Sequence, residues 1–293
     1  MGLDANGTKF LMFARQRGVS FSKTAMIGRQ SLLLSPAKLS TNLRSFGFES
    51  TAGQAKKLIQ DSNEYSEGFL KLLGADEIVS FDASAYENAS VVHDFNHPIP
   101  DKYKDQFSVV LDGGTLEHIF NFPAAIKNCM DMVAEGGHFL GITPANNQLG
   151  HGFYQFSPEL YFRVFSEQNG FKLQNLIIFE ETADSAWYEV ADPDVVHERV
   201  TLRNNESSML LIIAKKIRSV SVFETPQQSD YAAVWRGETD IASIHGLNQA
   251  GPSALGKVAR LPLAVLRRLR LRLSRHFGML NRRPKHFKKI DLP

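Results

Sequence analysis

A chain of 293 residues has room for a complete α/β core and an appendage. Its hydrophobic content of 43% and charged content of 22% are ordinary for a soluble globular protein. The single cysteine, Cys129, excludes an intramolecular disulfide framework and any multi-cysteine metal site, and no apolar run approaches the roughly 20 residues that span a bilayer. In chain order, Lys9 to Arg17 reads as a short helix stopped by Gly18. Thr24 to Ile27 is a short strand ending at Gly28, and Ser31 to Gly47 is loop-like. Thr51 to Leu73 carries apolar residues at helical spacing and ends at Gly74. Glu77 to Phe81 is a strand ending at Asp82-Ala83-Ser84, and Ser90 to His93 is another, ending at Asp94. Phe107 to Leu111 is an apolar strand that ends in Asp112-Gly113-Gly114; a helical stretch holding Cys129 as a small buried hydrophobe then leads to Gly136-Gly137 and a further strand. Ser157 as N-cap and Pro158 at the first position predict a helix to Asn169, stopped by Gly170. Lys172 to Phe179 and Ser208 to Lys216 are late strands with no long helix between them, which predicts an antiparallel finish, with residues 180 to 207 inserted.

The net charge of +2 averages two unlike parts. Residues 257 to 289 hold twelve Lys and Arg with no acid, leaving 21 basic and 30 acidic side chains in residues 1 to 256, a net of −9. Residues 219 to 254 read as a linker and 255 to 293 as a basic amphipathic C-terminal segment, joined to a domain over 1 to 218. Within the tail, Leu266, Leu269, Leu273, Phe277 and Leu280 share one helical stripe among arginines, the composition of a helix lying on an anionic membrane surface. Packing on the acidic body and phosphate binding are the alternatives, and nucleic acid is disfavoured by the scarcity of aromatics for stacking. With Asp4 near the start and no long apolar core behind it, no secretory signal is expected. The expectation is a cytoplasmic protein, peripheral to the inner face of the membrane if the tail binds it.

The stretch Phe107-Ser-Val-Val-Leu-Asp-Gly-Gly-Thr-Leu-Glu-His-Ile-Phe-Asn121, followed by Ala134-Glu-Gly-Gly-His-Phe-Leu140, resembles the fourth and fifth strands of class I S-adenosylmethionine (SAM) dependent methyltransferases. The resemblance covers roughly residues 23 to 217. It implies a Rossmann-like sheet, mostly parallel with an antiparallel last strand, helices on both faces, SAM as cofactor, and a small-molecule or saccharide acceptor. Such a sheet needs a glycine turn after its first strand, an acid after the second for the ribose hydroxyls, and an acid or amide after the third near the adenine. Asp82 with Ala83 stands at the second position and Asp94 with Phe95 at the third; a turn or capping role is the alternative for each Asp. The first position departs from the family's D-x-G-x-G, offering only Gly28 and Arg29. That guanidinium could meet the cofactor's carboxylate or form a structural ion pair. Leu111 to Thr115 as an alternative first-strand turn leaves the Asp82 and Asp94 strands without a role.

Gly113 belongs to the cofactor side of the fourth strand end, with Asp112 and His118 as catalytic candidates. A His there suits general-base work on a hydroxyl, because its ordinary pKa lies near neutrality. Glu117, His151 and Tyr154 are the candidates to touch the acceptor, and Phe153, Tyr154 and Phe156 could stack on a ring or close the core. No metal site is expected, because His93, His97, His118, His138 and His151 form no ligand-spaced pair on one predicted element. A binding or scaffolding module that has lost its cofactor is the other class of function.

Overall fold

The computed structural model describes residues 2–182, 185–220, 223–238 and 285–293. The amphipathic stretch of 261 to 280 lies outside them. The elements in order are β1 (Gly2–Leu3), α1 (Ala5–Gln16), β2 (Lys23–Ile27), β3 (Ser31–Leu32), α2 (Pro36–Ser45), α3 (Ala52–Asp61), α4 (Glu67–Leu72), β4 (Glu77–Asp82), β5 (Val91–Val92), β6 (Phe107–Asp112), α5 (Phe122–Met132), β7 (Val133–Pro144), α6 (Pro158–Val164), β8 (Phe171–Glu180), β9 (Trp187–Val190), α7 (Pro193–Val196), β10 (Ser208–Lys216), α8 (Ser229–Trp235) and β11 (Phe287–Ile290). Short 3-10 turns occupy Asp101–Tyr103 and Leu116–His118.

Nine strands form one sheet in the order β5-β4-β2-β6-β7-β10-β8-β9-β11. From β5 to β7 every pairing is parallel; β10 then runs antiparallel to both β7 and β8. This is a Rossmann-like sheet with the antiparallel finish expected from two late strands lacking a crossover helix. Its side chains alternate between two cores, one on each face. In β10, Leu210, Ile212 and Ala214 face α5 and α6, while Leu211 and Ile213 face the layer of α1 to α4. The sheet is therefore covered on both sides, as its near-continuous apolar strands require. Cys129 sits in the first of these cores, fully buried, and burial pushes its thiol up.

Two local expectations are corrected, and two segments prove more structured than the sequence disclosed. The stretch 31 to 47 is not loop but β3 and α2: Ser35 accepts from the Lys38 amide at 3.3 Å as N-cap, Pro36 opens the helix, and Leu39 and Leu43 bury one face. The helix expected over 51 to 73 divides into α3 and α4, because Asn63 and Glu64 take left-handed φ of 49° and 66°. The insertion of 180 to 207 contains β9 and α7, with Trp187 fully buried against Phe13 and Phe179. At the described end of the basic segment, β11 pairs antiparallel with β9, Phe287 is buried, and Glu198 receives both Lys285 and His286. In addition, α8 lies within the stretch read as a linker.

Candidate functional site

The order of strands along the chain reverses between β2 and β6, which lie side by side. From β2 the chain proceeds outward to β4 and β5, then returns to start β6 on the other side. At such a switch point the loops leaving neighbouring strands diverge and open a crevice beyond the carboxyl ends. The residues singled out from the sequence stand at these ends.

After β2, Gly28 takes φ +71° and donates its N–H to the Phe81 carbonyl at 2.7 Å, tying the ends of β2 and β4. Arg29 does not project freely. Its Nε lies 2.7 Å from Glu67 Oε1, its Nη1 donates to the Glu87 carbonyl at 3.0 Å, and its guanidinium covers the Tyr65 ring at 3.9 Å. Gln30, which the sequence reading passed over, is fully buried; its Nε2 donates to the carbonyls of Ile27 and Gly28 at 2.9 and 3.2 Å. Its Oε1 has no hydrogen-bond partner and lies where a Cβ on Gly113 would come within 2.5 Å. Gly113 is thus a close-approach glycine, but the group approaching it belongs to this chain.

Asp82 is half-buried and forms an Asx turn, its Oδ1 accepting from the Ser84 amide at 3.0 Å, with Ala83 exposed between them. Asp94 is exposed; its Oδ1 accepts from the Asn96 amide and side chain at 2.9 and 2.7 Å, and the backbone bond, chiefly, holds its carboxyl below the usual value. Phe95 is buried, edge-on to Phe81. Both acids therefore keep the turn geometry weighed as their alternative, and both remain in reach of solvent at adjacent strand ends.

Asp112 requires a correction. It does not face the crevice mouth but is fully buried at the end of β6. Its Oδ1 accepts from the amides of Thr115 and Leu116 at 2.9 and 3.3 Å, capping the Leu116–His118 turn, while its Oδ2 is unpartnered. Glu117, one turn on, is also fully buried, with Oε2 unpartnered. Burial raises both carboxyls, Asp112 well above its ordinary range with Glu117 adding to the effect, and Glu117 to about 7. The capping carboxylate holds the turn that presents Glu117 and His118.

His118 is exposed, and burial of part of its ring, with His151 second, lowers its pKa. His151, exposed and in the loop after β7, places Nε2 3.2 Å from Glu117 Oε1, and the two imidazoles lie 5.0 Å apart at 57°. The loop is clamped there: Phe153 donates its N–H to the Glu117 carbonyl at 2.8 Å, and Gly152 at φ +70° passes so close that a Cβ would meet that carbonyl at 2.8 Å. His118 and His151 share no element, as the spacing implied, yet the fold gathers them into a set of groups that could hold a metal, which the sequence did not lead us to expect. Two loops 34 residues apart in sequence bring His118, His151 and Glu117 together, which no spacing within one element could disclose. Tyr154 donates its hydroxyl to the Phe120 carbonyl at 2.6 Å and stacks on Phe156, a closing role. Phe120 and Phe153, 73% and 67% exposed and edge-to-face at 6.0 Å, are instead the aromatics left open beside the histidines. A cavity of about 790 Å³ lies elsewhere, between α6, α7 and α8, lined by Glu159, Arg163, Asp194, Arg199 and Asp230 and by none of the strand-end residues.

No protein-family model matches the chain, and no curated protein does. Among solved structures it is similar to a Bacillus halodurans chain assigned as a methyltransferase, at 10% identity and TM-score 0.40, over 71% of this chain and 99% of that one. It is similar to the N-methyltransferase NodS of Bradyrhizobium japonicum in complex with S-adenosyl-L-homocysteine, at 12% identity and TM-score 0.38, over 72% and 86%. It also resembles the branched-chain polyamine synthase of Thermus thermophilus, at 14% identity and TM-score 0.38, over 76% of this chain and 61% of that one. Likenesses of this extent decide nothing about chemistry, and the fold rests on the chain's own strand order.

Proposed function

We propose that this chain is a SAM-dependent methyltransferase acting on a small-molecule or saccharide acceptor. The observation that carries the proposal is the placement of solvent-reachable carboxylates at the ends of β4 and β5, on one side of the switch point between β2 and β6, and of a clamped Glu117–His118–His151 cluster after β6 on the other. The donor set fits the nucleoside half of the cofactor. Asp82 would accept from the ribose hydroxyls, with Ala83 leaving it uncovered. Asp94 and Phe95 would border the adenine, and Gly28, with no side chain, would leave the end of β2 open, while a cofactor reaching Gly113 would have to displace the Gln30 carboxamide. SAM supplies an electrophilic methyl group, so the protein's task is mainly to align an acceptor for in-line attack. His118, with Glu117 and His151 beside it, would face the acceptor and handle the proton of a hydroxyl nucleophile. Asp112 acts only through the turn it caps, as a positioning residue.

One observation favours a second reading, a binding module without methyl transfer. Arg29 and Gln30 are engaged within the chain, and Gln30 occupies the approach to Gly113 that a cofactor's amino-acid end would need. Calorimetric titration of SAM and S-adenosylhomocysteine into the purified protein and into Asp82→Ala separates the two. Micromolar binding that weakens at least tenfold in the variant supports the enzyme. No heat and no thermal shift at millimolar ligand sinks it.

A further inference from the structure

We infer that Glu117, His118 and His151 form a binding site for one divalent transition-metal ion of the Zn²⁺ class, with its remaining coordination position open at the crevice mouth. One ligand atom from each of the three side chains can be chosen so that all lie within 4.8 Å of one another. Tetrahedral zinc with bonds of about 2.0–2.2 Å sets its ligand atoms roughly 3.4 Å apart. The Glu117–His151 pair, at 3.2 Å, already has that spacing. Closing the third ligand onto it takes a movement of at most about 1.4 Å by an exposed imidazole.

A second, independent observation points to a ligand. Glu117 is fully buried, yet its Oε2 has no hydrogen-bond partner. A buried carboxylate that lacks a partner for one oxygen is costly to keep ionised, and a cation held at its other oxygen jointly with two imidazoles offsets that cost. The scaffold is built to hold this arrangement. Asp112 caps the turn carrying two of the ligands, and the His151 loop is pinned to that turn by the Phe153 amide and by the close passage of Gly152. Two imidazoles and one carboxylate are the donors of open, catalytic zinc sites rather than of closed structural ones.

The exposure of both histidines leaves the fourth position to solvent, flanked by Phe120 and Phe153. An oxygen bound there, from water or from an acceptor hydroxyl, would lose its proton more readily than in bulk. This acceptor role rests on the methyltransferase reading; the metal site does not. With metal bound, His118 serves as a ligand, and the acidity of the hydroxyl comes from the ion.

Tag-free full-length protein, stripped with chelator, is titrated with ZnCl₂ by calorimetry and with CoCl₂ by visible absorption. The expected result is one ion per chain, the strong visible bands of tetrahedral Co²⁺, and affinity at least tenfold weaker in both His118→Gln and His151→Gln. Both rings are exposed, so these variants keep the fold, checked by an unchanged melting temperature of the metal-free proteins. The inference is overturned by the absence of saturable binding, or by affinity that stays the same in both variants. S-adenosylhomocysteine titrated into the metal-free protein separates the two readings. Metal binding without nucleoside binding leaves this site and removes the methyltransferase; the reverse leaves the methyltransferase and removes the metal.

Discussion

The loop after β2 and the turn after β6 leave the sheet as neighbours, joined where Thr115 Oγ1 donates to the Ile27 carbonyl at 2.6 Å. Their polar side chains are disposed in opposite ways. After β2, the guanidinium of Arg29 and the amide nitrogen of Gln30 are consumed by a carboxylate, three carbonyls and a ring of the same chain. After β6, two fully buried carboxyls each keep an oxygen without a partner, and two imidazoles stand exposed beside them. The donors of the first loop have become framework, with the Gln30 Oε1 alone left unpartnered there, whereas the second retains two unpartnered carboxyl oxygens beside exposed imidazoles. Reactivity at a strand end thus follows from which polar atoms the fold leaves unsatisfied, not from which residue types are present.

The largest effect expected on this contrast comes from Asp112→Ala. It strips the cap from a buried turn and leaves amide donors unpaired, costing about 3 kcal/mol in chemical denaturation, whereas Asp112→Asn keeps an acceptor and costs under about half of that. Equal losses in the two variants would show that charge rather than capping is the role of this side chain.

Next in size is the effect of a buried titrating group outside both turns, which must be separated from theirs. Burial, with Lys215 second, pushes His138 in β7 down to about 4 from 6.5. Its folded-state pKa is depressed, so its contribution is present above pH 6.5 and is lost as pH falls toward 4. Between pH 6.5 and about pH 5 the loss is about 2 kcal/mol. Denaturation midpoints across that window should fall in the native protein and flatten in His138→Gln; parallel slopes would contradict the assignment.

Gly113→Ala should cost about 1 kcal/mol, because the new Cβ displaces the Gln30 carboxamide from its carbonyl partners. In the double variant with Gln30→Ala the two costs should fail to add, a coupling read from a double-mutant cycle. Strict additivity would mean that Gln30 does not fill the approach. The smallest effect belongs to Arg29→Met, at about 0.5–1 kcal/mol of stability for a partly exposed pair and ring contact. SAM affinity should stay within twofold of native. A tenfold loss would return Arg29 to the cofactor and erase the contrast between the two loops.

The apolar runs of β4, β6, β8 and β10 were legible in the chain because strand periodicity and the turn residues bounding it are local properties. So were the acids at the strand ends, the Ser157-Pro158 start of α6 and the antiparallel finish. Other features depended on partners distant in sequence. Trp187 made a strand of an expected insertion by burying itself against α1, and Phe287 drew the end of a basic tail to the sheet edge. Arg29 could be read as a ligand for a carboxylate, but only the fold supplied the carboxylate, from α4. His118 and His151 were each visible as candidates, yet their convergence with Glu117 was decided by a loop passing 2.8 Å from a backbone carbonyl 36 residues back in the chain. Local periodicity sets which segments become strands and helices; long-range packing decides which polar atoms are then satisfied and which are left for chemistry.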